Sequence, residues 1–171
     1  MNKKNIIVIT SLFSLEISLS VLAFAIPFLV SGPQWLTGTL VNSFLIIFVT
    51  RSKKNILPVV ALPSIGALLH GMVFGPLTPF LFYFLPFIWI GNYLLVKAFE
   101  KLSERTNFFG GVFISAFIKS LFLYFTAIFF FKLNIVPAFF LKTMGIIQFY
   151  TALIGGLFAY FIIKLLNKNY D

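Results

Sequence analysis

Cysteine is absent from this chain of 171 residues. That excludes disulfides, thiolate nucleophiles and cysteine-ligated zinc or iron–sulfur centres together. A single histidine and four acidic residues leave too few ligands for a dedicated transition-metal site. No metal or other cofactor is expected. There is no Gly-rich phosphate loop, so the chain cannot draw on ATP by itself. Ser64, His70 and Glu16 fall at different depths along their segments, so neither intramembrane proteolysis nor acyl transfer is expected. The chain is taken as a non-enzyme. Charge of either sign is scarce: 10% of residues, against roughly 25% in a soluble domain.

What fills the chain instead is apolar. Hydrophobic residues make up 60%, and 25 of them are phenylalanine, far more than one small soluble core uses. Lipid is therefore the expected solvent, and the length suits one integral membrane domain. The net charge of +9 does not point to nucleic acid. Phosphate tracking needs a continuous basic surface, and here the basic residues lie between apolar segments.

A helix needs about 20 apolar residues to cross a bilayer. Six segments qualify: 6–30, 36–50 (short unless Gln34 and Trp35 extend it), 56–74, 77–99, 108–131 and 143–166. Proline and glycine punctuate them at Pro27, Gly32-Pro33, Pro58, Pro63, Gly75-Pro76, Pro79, Pro86 and Pro137. The expected fold is all-α: a polytopic membrane protein, one bundle of six transmembrane helices. If the spans alternate, Lys3, Lys4, Arg51, Lys53, Lys54, Lys97, Lys101, Arg105, Lys164 and Lys168 share one side, whereas only Lys132 and Lys142 lie on the other. Basic residues mark the cytoplasmic side, which places both termini there and the protein in the cell membrane. Ala23-Phe24-Ala25 resembles a signal-peptide cleavage site, but Glu16 interrupts the long apolar run, so the first segment is expected to remain as a span.

Lys119 is the thirteenth cation, placed in the middle of segment 108–131. A lysine there costs about 2.5–3.5 kcal/mol on insertion scales, so it should face a protein interior or a wet cavity. Counting about 1.5 Å per residue, Glu16 falls at a similar depth, and a buried Glu16–Lys119 ion pair is expected either as a structural pair or as part of a site. A second polar set lies towards the outer end: His70, Tyr83, Tyr124, Thr126, Gln148, Thr151, Gln34 and Trp35. Together with Lys119 these suit a pocket with aromatic walls and a few hydrogen-bonding groups. Each has a plainer role available. His70 can bond a backbone carbonyl, Trp35, Tyr83 and Tyr124 can form an interfacial belt, and Gln148 and Asn92 can bond between helices. Small residues at four-residue spacing (Ala67, Gly71 and Gly75; Ala152 and Gly156; Gly155 and Ala159; Ser14 and Ser18) mark expected close helix contacts.

The whole chain resembles the substrate-binding S components of energy-coupling factor (ECF) vitamin transporters. The likeness rests on small size, six spans and cytoplasmic termini. It also rests on the runs Ala61-Leu-Pro-Ser-Ile-Gly-Ala-Leu-Leu-His70-Gly-Met-Val-Phe-Gly-Pro76 and Gln148-Phe-Tyr-Thr-Ala-Leu-Ile-Gly-Gly156. On the first span, Ser14 and Ser18 stand where that family has an Ala-x-x-x-Ala contact for its transmembrane partner. The resemblance implies capture of a small molecule from outside under a lid at 31–36. Docking to a transmembrane partner with two ATPase subunits would follow, and then ATP-driven uptake. On this reading Lys119 and His70 would meet an acidic group, and Trp35, Tyr83 and Tyr124 a planar ring. The competing expectation is a non-transport membrane subunit that anchors or assembles a larger complex.

Overall fold

The computed structural model describes residues 17–30, 32–52, 56–71 and 74–168. Among the described residues there is no strand. The chain forms α1 (Ile17–Leu29), α2 (Gln34–Arg51), α3 (Ile56–His70), a 3-10 helix (Gly75–Phe80) that runs straight into α4 (Leu81–Ser103), α5 (Phe108–Lys132), α6 (Phe139–Met144) and α7 (Ile146–Lys168). Taking α6 with α7, which only Gly145 separates, and the 3-10 turn with α4, the described residues form six helical rods. Three of them, Gly75–Ser103, Phe108–Lys132 and Phe139–Leu166, are long and apolar enough to cross a membrane. At about 1.5 Å per residue, 25 residues reach some 37 Å, more than the ~30 Å of hydrocarbon.

The boundaries follow local chemistry. Asn107 caps α5, its side-chain oxygen accepting from the Gly110 N–H at 2.7 Å, which satisfies one of the free donors of the first turn. Pro76 opens the 3-10 helix, where its missing N–H costs nothing. The third segment ends earlier than the hydrophobic run suggested. Gly71 takes φ +76° and Gly75 φ +56°, a left-handed conformation that glycine adopts without a Cβ clash. Gly71 and Gly75 are therefore turn residues and not part of a close helix seam; no atom lies within 4 Å of where their Cβ atoms would be. The last segment, expected as one rod, is broken at Gly145 (φ −98°, ψ −102°), where a Cβ would meet the Tyr124 ring at 2.8 Å.

Other small residues do hold helices together. A Cβ on Gly155 would lie 2.8 Å from the Thr39 carbonyl oxygen and 2.9 Å from the Ser43 nitrogen, so α7 touches the backbone of α2 there. Ala152 and Ala159, on the same stretch of α7, are fully buried. Gly156 packs on Val112 of α5, and Gly66 of α3 packs on the Phe24 carbonyl of α1. Such close approaches supply dispersion contacts, which bind helices where lipid removes the hydrophobic drive. The outer surface is apolar: Phe113, Phe117, Phe125, Phe129, Phe158 and Phe161 are all more than half exposed. That surface suits hydrocarbon rather than water.

The interior is divided in two. One apolar cluster joins Leu45 to Val49 of α2 with Val59 and Val60 of α3, Leu95 and Phe99 of α4, and Val112 and Ala116 of α5. The other joins Ala67, Leu81, Phe84, Leu123, Ala127, Phe130, Phe140 and Met144. Between them lies a layer of buried polar side chains.

Candidate functional site

That layer is built around Lys119, which is only 2% exposed. It follows Ala116 of one cluster and precedes Leu123 of the other, so the helical repeat turns it inward with both. Its Nζ donates to Asn42 Oδ1 at 2.6 Å and to Asn92 Oδ1 at 2.8 Å. An ammonium has donors only, so both asparagines must turn their oxygens towards it. Their amide nitrogens then reach outward. Asn92 Nδ2 donates to the Val60 carbonyl at 2.9 Å, and Asn42 Nδ2 to Thr151 Oγ1 at 3.3 Å. Thr151 in turn donates to the Gln148 carbonyl at 3.1 Å. Alongside, Trp89 Nε1 donates to Ser64 Oγ at 2.8 Å, and Ser64 donates to the Ala61 carbonyl. One hydrogen-bonded layer thus ties α2, α3, α4, α5 and α7.

Two features leave this layer unfinished. Among the described residues the third N–H of Lys119 has no acceptor, and no carboxylate pairs with the ammonium. Two neutral carbonyls stabilise a buried cation by charge-assisted hydrogen bonds of about 1.5–3 kcal/mol each, but they do not neutralise it. The second feature is Gln34. Its Nε2 donates to the Thr143 carbonyl at 2.8 Å, while its Oε1 is buried without a partner.

Both residues line one cavity of about 70 Å³, which also touches Asn42, Ser64, Asn92 and Gln148. The remaining wall is mostly apolar, from Pro27, Val41, Ala67, Phe74, Leu81, Ile88 and Met144, with Thr37 a further polar residue at the end where α2 begins. The cavity therefore offers a cation, an open acceptor on Gln34 and the amide of Gln148 to whatever enters. Its volume admits a few waters or a small solute and falls below the ~300–1,000 Å³ of drug-sized ligand sites.

Of the residues singled out from sequence, Lys119, Gln34 and Gln148 meet at this cavity, and Thr151 supports it through Asn42. The aromatic wall is not there. Trp35 is 61% exposed, Tyr83 49% and Tyr124 39%. The cause is azimuth. Leu81, Ile88 and Asn92 are the inward residues of α4, and Tyr83, two positions beyond Leu81, points about 200° away. Tyr124, five positions beyond Lys119, is displaced about 140°, and Trp35 turns out beside the inward Gln34. His70 also stands apart. Its Nδ1 bonds the Phe28 carbonyl at 2.6 Å and fastens α3 to α1, with Nε2 left buried and unpartnered. Ser14 and Glu16 lie outside the described residues, and with them the Glu16–Lys119 pair; Ser18 is on the exposed side of α1.

Asn42 belongs to the site and was not among the residues singled out from sequence. The signal for it is the one that found Lys119, a polar side chain deep in an apolar run, and its spacing from Gln34 and Gly38 puts all three on one face of α2. Asn92 serves the helix-to-helix bond expected of it and also holds Lys119. Among the described residues no cluster of histidine and acidic side chains forms a metal site. The chain matches no protein-family model, no curated protein and no solved structure.

Proposed function

We propose that the chain is the membrane-embedded capture subunit of an importer of the energy-coupling factor type. It crosses the membrane six times with cytoplasmic termini and takes a small acidic solute from the outer side for ATP-driven uptake by partner subunits. The observation that carries this reading is the Lys119 ammonium, buried at a cavity with two neutral carbonyls and no counter-charge among the described residues. A buried, unbalanced cation is costly, and an anionic group entering the cavity would relieve that cost. Gln34 Oε1 would accept from a hydroxyl or amide of the same solute. The wall beyond is mostly aliphatic, with the Phe74 ring at its edge and no tyrosine in it, so the cargo is expected to bring an acidic group on a compact or aliphatic body and not a ring stacked between tyrosines. A vitamin-sized cargo requires the outer ends of α1, α2 and the 3-10 turn to part.

Purification of the tagged chain from its own membranes tests the importer reading. A transmembrane protein and two ATPases are expected to accompany it in fixed proportion. Isolation of the chain without ATPases, under detergents that keep its fold, would contradict the reading.

A second reading has an observation of its own. The present cavity is small and the Lys119 layer ties five helices, which suits a brace inside a non-transport subunit of a larger complex. A ligand that binds only the folded protein raises its stability by about 4 kcal/mol at a thousand times Kd. Absence of any rise in Tm across a panel of small carboxylic acids would favour the brace.

A further inference from the structure

A second hollow lies on the other side of the α5–α7 seam. It is an open groove of about 730 Å³ on the lipid-facing surface, between α5 and the broken rod of α6 and α7. Phe113, Phe117, Leu121 and Tyr124 form its α5 wall, at spacings that keep them on one helix face. From Phe113 to Tyr124 the helix rises about 16 Å, enough to run beside much of one acyl chain. The opposite wall includes Ile146 and Phe149, set back by the break at Gly145.

The groove is polar at one end only. Lys142 of α6 and Tyr124, whose ring lies against Gly145, line the groove towards α6, while Phe113 and Phe117 line it farther along α5. Ser120 lines it too, but its hydroxyl is spent on the Phe117 carbonyl. Lys142 is exposed, and no carboxylate bonds it among the described residues. A long apolar trough with a single cation at its mouth is complementary to an amphiphile with a negative head.

We propose that this groove holds one acyl chain of an anionic phospholipid, whose headgroup sits on the Lys142 ammonium. The site is independent of the Lys119 cavity, and it needs no capture function to exist. The break at Gly145 makes room for the chain, and Lys142 selects the head.

Native mass spectrometry of the full chain in detergent tests this, with phosphatidylglycerol and phosphatidylcholine of identical acyl chains as probes. One lipid is expected per protein, with phosphatidylglycerol retained about fivefold better, as one interfacial lysine allows. Lys142→Gln should erase that preference while a lipid of either kind still binds, and Lys142→Arg should keep it. Leu121→Trp fills the groove from an exposed position and should remove the bound lipid of both kinds. Lys132→Gln, at the neighbouring cation outside the groove, should change nothing. Equal retention of the two lipids by the parent protein overturns the proposal. So does equal loss of preference in Lys132→Gln, or a dimer that Leu121→Trp dissociates, which would make the occupant a second copy of the chain.

Discussion

Lys119→Met is expected to leave the protein folded and to lower its affinity for an acidic solute by about thirtyfold or more. The size follows from the loss of a desolvated charge partner, which costs about 2–5 kcal/mol at a buried site, with every 1.4 kcal/mol being tenfold. The fold should survive for a separate reason. Methionine keeps most of the volume and removes the cost of a buried, unbalanced cation, and such replacements are often neutral or stabilising. Asn42 and Asn92 would lose their ammonium, but the adjoining cavity has room for water to take its place. Calorimetric titration with an acid that binds the parent protein measures the first part, and the thermal transition in detergent measures the second. Unchanged affinity would remove Lys119 from any solute site.

Asn92→Leu is expected to do the reverse to stability. It takes one of two carbonyls from the ammonium and also removes the side-chain bond from Asn92 to the Val60 carbonyl. Hydrogen bonds to charged groups contribute about 1.5–3 kcal/mol, and the neutral bond to Val60 about 0.5–1.5 more. At roughly 2–4 °C per kcal/mol for a chain of this size, Tm should fall by on the order of 5–15 °C. The combination with Lys119→Met should recover much of that loss, since leucine then faces methionine and no charge remains to satisfy. Such non-additivity is the mark of two groups that act on each other. Equal losses in single and double variants would mean that Asn92 matters only through its bond to α3.

This asymmetry also explains what the sequence could and could not disclose. The helices were legible because apolar runs punctuated by Gly and Pro leave few alternatives, and segment 108–131 matches α5 to within one residue. Lys119 was legible because charge in such a run must face inward. Depth was therefore well founded, but azimuth was not. A helix apolar all round gives no polar face from which to set its rotation, and in lipid the outside of a bundle is as apolar as its core. Trp35, Tyr83 and Tyr124 share the depth of the cavity and still look outward. Gln34, Asn42, Asn92 and Gln148 are turned inward because their amides find partners or a wet hollow only there. The break at Gly145 was hidden for a related reason: glycine is tolerated inside membrane helices, so its presence marks no break, and the Tyr124 ring that leaves no space for a Cβ there comes from a distant part of the chain.

The most direct trial of the Lys119 cavity is mass spectrometry of the small molecules released on denaturing the purified parent protein and its Lys119→Met variant. A single acid, approaching one per parent chain and missing from the variant, is the predicted outcome. No such acid from the parent, or the same acid in equal amount from both, would contradict a buried cation that waits for an anionic guest.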